Sequence, residues 1–140
     1  MVCRRVMKPR AETESTGKLK GSIGLFTMVH HPDLTHRQAD NHWRDNHTPL
    51  AFKHHPAMTH YAQLGVVLRI HGPEWDGFAL CGFDSVEDLR ERFFGSPEGK
   101  IAIREDVAFF ADTEKSPRRL IATEVSWPMA PRTAHFGDRV

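Results

Sequence analysis

Residues 58 to 70 read MTHYAQLGVVLRI and alternate well. Met58, His60, Ala62, Leu64, Val66, Leu68 and Ile70 share one side of an extended chain, and Thr59, Tyr61, Gln63, Val67 and Arg69 share the other. A strand over Met58 to Ile70 is therefore predicted. Because Tyr61 and Val67 give the second side apolar character too, each sheet face needs a cover. Working outward, Ser22 to Val29 is β-prone and ends at His30, His31, Pro32; Gly77 to Phe83 follows a Gly72, Pro73 turn; and Arg119 to Trp127 is the last strand.

Helices fill the gaps. Thr35 is the predicted N-cap of a helix reaching about Asn46, with Thr48 and Pro49 marking a second start or a kink. Ser85 caps Val86 to Phe94, and Ser96 to Ala111 carries Ile103, Val107 and Phe110 at i, i+4 and i+7. The order β, α, β, β, α, β predicts an α+β, ferredoxin-like βαββαβ fold: a four-stranded antiparallel sheet with helices on one face. The bare face predicts a homodimer, sheet against sheet.

The 140 residues carry 19 Lys plus Arg and 18 Asp plus Glu, but the balance is uneven. Residues 1–20 hold a net +4, leaving −3 on the rest, which argues against a nucleic-acid footprint on the folded body. With few apolar side chains, residues 1–20 read as a disordered arm, and Pro128, Pro131 and Gly137 mark 128–140 as a Pro-containing tail, so the compact domain spans 21–127. No run approaches the roughly 20 apolar residues of a membrane span. Two cysteines, Cys3 and Cys81, and no signal-peptide pattern make a cytoplasmic location the expectation.

Eight of the ten His fall between His30 and His60. At 100° per residue, His36, Ala39, Asp40, Trp43, His47, Leu50 and His54 occupy one arc, although Pro49 interrupts the count before His54. An inward His needs a hydrogen-bond partner or a cavity. His47 is thus a candidate general acid or base, since an imidazole ordinarily titrates near pH 6.5; the competing reading is a core His bonded to a carbonyl. Tyr61, the only Tyr, is a candidate donor to a substrate oxygen, against a reading as a sheet residue on the dimer side. Trp43 and Phe110 read as core rather than as a cofactor box. His42 with Asp45, and the pairs His30, His31 and His54, His55, are poor chelators: no HExxH, paired CxxC or EF-hand loop is present, and adjacent His on an extended chain diverge. No GxSxG or phosphate loop occurs, and Cys81 lies in an apolar strand. Neither a metal nor a cofactor is expected.

HWRDNHTPLAFKHHPAMTHYAQ, from His42 to Gln63, resembles the EthD-like pattern H-W-x-x-x-H-x-P-L, a Pro-containing turn and a strand with Y-x-Q. DGFALCGFDSVEDLRERFFGSPEG, from Asp76 to Gly99, is similar to that family's apolar strand, F-D-S turn and helix, and EDVAFFAD, from Glu105 to Asp112, to its closing helix. The resemblance implies a dimeric α/β barrel from a family found near oxygenases in alkyl-ether degradation and among fungal polyketide-tailoring proteins. The superfamily includes lactone isomerases, cyclases, small monooxygenases and haem proteins, so fold alone does not fix function. Its motif positions fall on Trp43, His47, Pro49, Leu50, Tyr61, Phe109, Phe110 and Asp112.

The first expectation is acid/base catalysis without a cofactor, as in an isomerase, cyclase or decarboxylase, on an apolar carbonyl, lactone or polyketide-like compound. His47 and Tyr61 would be catalytic; Trp43, Leu50, His54 and Phe110 would touch substrate. The alternative is a non-catalytic binding or accessory protein for an oxygenase-linked pathway, consistent with the absence of a complete catalytic motif. Haem or metal binding, a third reading, rests on the His count alone.

Overall fold

A computed structural model describes residues 1–11, 17–116 and 119–126; the tail at 128–140 lies outside them. The elements are β1 (Val2–Lys8), β2 (Gly17–Lys18), β3 (Ser22–Met28), α1 (His36–His42), a π-helical turn (Trp43–His47), α2 (Thr48–His54), β4 (His60–Val66), β5 (Gly77–Phe83), α3 (Val86–Glu91), α4 (Pro97–Phe110), β6 (Arg119–Ala122) and β7 (Val125–Ser126). The main sheet is antiparallel in the order β1-β4-β5-β3-β6, and β2 pairs with β7 separately. The four expected strands occupy their ferredoxin-like places, and β1 makes the sheet five-stranded.

That fifth strand corrects the expectation of a disordered arm over residues 1–20. Val2–Lys8 runs antiparallel to β4, from Val2 opposite Val66 to Val6 opposite Ala62. Val2 and Val6 are about half exposed, so composition gives no sign of the strand. What holds it is ladder pairing, Met7 packed against the core, and Arg5, whose guanidinium grips both Asp40 carboxylate oxygens at 2.7 Å.

β4 is shorter than Met58 to Ile70. Its partners run out at Val2 opposite Val66 and Gly77 opposite Gly65, so Val67, Leu68 and Ile70 leave the sheet and stand exposed. The last expected strand also divides, with β6 pairing to β3 and β7 to β2, while Trp127 lies outside the described residues.

Helix starts follow the sequence signals. Thr35 and Gln38 form a reciprocal capping box, Ser85 accepts from the Asp88 N–H, and Ser96 from the Gly99 N–H. Between α1 and α2 the backbone widens into the π turn just before Pro49, which has no N–H to continue an α-helical ladder. The Trp43 carbonyl instead accepts from Thr48 Oγ1 at 3.2 Å and Gln63 Nε2 at 3.2 Å.

The helices cover one sheet face. Tyr61, Cys81, Phe83 and Leu89 pack together there, and Trp43 joins Met28, Ala39 and Phe110 in a second cluster. Tyr61 therefore points toward the helices, not toward a dimer side. Among the described residues, no helix is long and apolar enough to cross a membrane.

Candidate functional site

A cavity of about 830 Å³ lies between the helix layer and the sheet. Gly24, Ala79 and Cys81 form its floor, and Trp43, Phe93 and Phe110 give it an aromatic wall. Small floor residues leave the room: a Cβ on Gly24 would come within 2.8 Å of the Phe26 ring and 2.9 Å of Leu89.

His47, on the π turn, lines this space with its side chain only 10 % exposed. Its Nδ1 is 2.7 Å from Asp106 Oδ2 on α4, and Asp106 Oδ1 is 2.6 Å from His42 Nε2. An ionised carboxylate only accepts, so Nδ1 carries the proton in this bond, and His47 Nε2, which has no hydrogen-bond partner among the described residues, keeps its lone pair. Burial works to raise the Asp106 carboxyl, but the bonds and charges of His47 and then His42 outweigh it and hold the group below the usual carboxylate range. A base whose ring is oriented by a carboxylate is the arrangement general acid–base catalysis requires.

Tyr61 sits on the same wall, fully buried. Its Oη accepts from Trp43 Nε1 at 3.1 Å and Gln63 Nε2 at 3.0 Å, and among the described residues its own hydrogen meets no acceptor. Burial first, with the nearby Cys81, pushes its pKa far above the ordinary value, so the phenol keeps its proton and has that hydrogen to donate. Burial likewise pushes the Cys81 thiol up to about 12, which removes it as a nucleophile at neutral pH.

Of the expected substrate contacts, the structure brings Trp43 and Phe110 to the cavity, with the Phe110 ring 5.2 Å from that of His47. It does not bring Leu50 or His54 there. The π turn adds a residue, advancing the helical phase by about 100°, so Ala51 and His55 face inward in their place. His54 packs instead against Gly99 at the start of α4. His55, which the helical count assigned elsewhere, donates from Nδ1 to the Phe93 carbonyl at 2.5 Å, and its burial lowers its pKa, favouring the neutral ring.

Asp106 was not among the expected site residues, nor was the second His–Asp–His cluster. There Asp76 Oδ2 takes the His30 N–H at 2.6 Å and His30 Nδ1 at 2.7 Å, while Oδ1 takes His36 Nδ1 at 2.8 Å. It does not line the cavity; it ties the β3–α1 loop to the β4–β5 loop, which places His36 in a structural clamp. Among the described residues, no group of three or more His, Cys, Asp or Glu is arranged to hold a metal.

The EthD domain model matches residues 31–114, from the loop before α1 through His47, Tyr61 and Asp106 to the turn after α4. The chain belongs to the EthD family. Two solved structures of EthD proteins share its fold. A crystal structure of an EthD family protein from Bacillus halodurans aligns with TM-score 0.56 and 23% identity, covering 74% of this chain and 99% of that one. An EthD-like protein from Ralstonia eutropha aligns at 0.50 and 18%, covering 74% and 92%. No curated protein matches the chain.

Proposed function

We propose that this EthD protein catalyses proton transfer beside the carbonyl of a small apolar compound. The observation that carries the reading is the 2.7 Å bond from His47 Nδ1 to Asp106 on the wall of a cavity. His47 Nε2 takes a proton from the carbon next to the carbonyl, the electron pair moves onto the carbonyl oxygen, and the Tyr61 O–H stabilises the enolate. Returning the proton to another carbon gives isomerisation; attack of the enolate carbon on a second carbonyl forms a carbon–carbon bond and an alkoxide, which takes the proton back from His47, and gives cyclisation. The apolar wall keeps competing water out. The test is deuterium exchange into 2-tetralone, an enolisable apolar ketone, followed by NMR: the protein should accelerate exchange over buffer alone. Exchange at the buffer rate under saturating ketone overturns catalysis. If the ketone nonetheless binds, a non-catalytic binding protein is left, a reading supported by the apolar lining.

We also propose that two copies pair through the sheet face that the helices leave open. Leu25, Leu64, Phe78 and Leu80 stand together there by register and are only half-buried in the single chain. Covering them is what a homodimer would supply. Sedimentation should show a dimer at micromolar concentration and a monomer for Leu80→Glu; a wild-type monomer sinks the pairing.

A further inference from the structure

The mouth of the cavity carries charge of one sign. Arg90 on α3, Lys100 and Arg104 on α4, and Arg119 on β6 all line it, while no Asp or Glu does. These four side chains are exposed and, among the described residues, none meets a carboxylate. Elsewhere Arg5, Arg10, Arg44 and Arg92 are each paired with an acid at 2.5 to 2.7 Å, while cations such as Arg37, Lys53 and Arg69 also lack a carboxylate partner among the described residues; what sets the four apart is that they line one cavity. In a chain whose net charge is only +1, four cations without a carboxylate partner among the described residues line one opening, Lys100 lying 6.0 Å from the Phe94 ring centroid. They repel one another, and an anion placed between them relieves that repulsion while gaining charge-assisted hydrogen bonds. Behind the mouth the wall is aromatic and aliphatic, with Phe26, Trp43, Phe93, Ile103, Val107 and Phe110 offering contact only to apolar surface. An apolar interior alone would accept any hydrophobic compound of suitable size; the rim adds a demand for negative charge at one end.

We propose that the ligand of this cavity is a ring-bearing carboxylic acid, its rings against the aromatic wall and its carboxylate at the mouth between Lys100, Arg104 and Arg119. The inference takes from the reading above only that this cavity is the ligand site, and not that His47 transfers a proton. The carboxylate anchors the molecule at the mouth, so the carbon presented to His47 lies deeper along its apolar body.

Isothermal titration of the full chain with 2-naphthoate and with its neutral counterpart 2-acetonaphthone tests this. At low salt the acid should bind about tenfold more tightly or better. The double variant Lys100→Gln, Arg104→Gln changes only exposed side chains; it should bring the two affinities within about twofold by weakening the acid alone, and about 0.5 M salt should act in the same direction. Arg92→Gln, which removes the same kind of charge away from the mouth, should leave the preference intact. Equal affinities in the wild type, no binding of either probe, or a preference that survives the double variant would overturn the proposal. A protein that prefers naphthoate yet leaves 2-tetralone exchange at the buffer rate keeps this inference and loses the catalytic reading; the reverse result does the opposite.

Discussion

His47→Ala is expected to return deuterium exchange of 2-tetralone to near the buffer rate, a loss of about 10²- to 10⁴-fold, the usual worth of a positioned base. Asp106→Asn should cost nearly as much although it leaves His47 in place. An amide at this position can present N–H to Nδ1, which turns the imidazole over to the tautomer with hydrogen on Nε2 and leaves no lone pair facing the cavity. His42 bonds the same carboxylate and would lose its partner as well, so an intact circular dichroism spectrum and the 2-acetonaphthone affinity serve as controls for folding and for the cavity. Asp106→Asn with wild-type exchange would remove the carboxylate from the mechanism. The same variant has a second signature. Because the folded carboxyl titrates below its unfolded value, Asp106 contributes stability that is fully present above about pH 4 and is lost as pH falls through the lower folded pKa. The acid limb of the unfolding curve should therefore be shallower in Asp106→Asn. His55 acts at higher pH and in both proteins: its lowered pKa means the unfolded chain takes up the proton first, so stability declines as pH drops below about 6.5.

Those two residues also mark how far local pattern reaches. Thr35, Ser85 and Ser96 cap helices through contacts three residues away, and the alternation around β4 is a property of successive residues, so the element order is legible. The face that Tyr61 takes is not, because alternation separates two sides without saying which one the helices cover. β1 is missed for a related reason, since an edge strand is held by backbone pairing and by Arg5 reaching Asp40, 35 residues away. The helical count places Trp43 and His47 inward correctly and then fails at Leu50 and His54, because one π turn shifts every later residue; Pro49 signals a break but not its size. Asp106 did leave a trace. It lies three residues after Ile103 and four before Phe110, on the apolar stripe of α4, and a carboxylate held there needs a partner. That the partner is His47, 59 residues away, only the packed structure reveals.

Trp43→Ala should cause the largest loss of stability of any single change at the site, about 3 to 5 kcal/mol, which corresponds to a fall in Tm of about 10 to 20 °C for a domain of this size. The ring is 2 % exposed, packs with Met28, Ala39 and Phe110, and donates Nε1–H to Tyr61. Its fit against β5 is so close that a Cβ at Gly77 would lie 2.5 Å from Trp43 Cζ3. What the variant keeps is as informative as what it loses. The carbonyl that bonds Thr48 and Gln63 belongs to the backbone, so the π turn retains its anchors, and Tyr61 retains Gln63. The protein should fold with an enlarged cavity and unfold cooperatively at lower urea. The close approach also dictates non-additivity: Gly77→Ala should be costly in the wild type and less so in Trp43→Ala, where the ring it strikes is gone and only the Leu64 carbonyl, 2.9 Å from the new Cβ, still resists. Strictly additive losses in that double-mutant cycle, or a Trp43→Ala protein within about 1 kcal/mol of wild type, would mean that the ring is not the wedge between helix and sheet that sets the cavity's width.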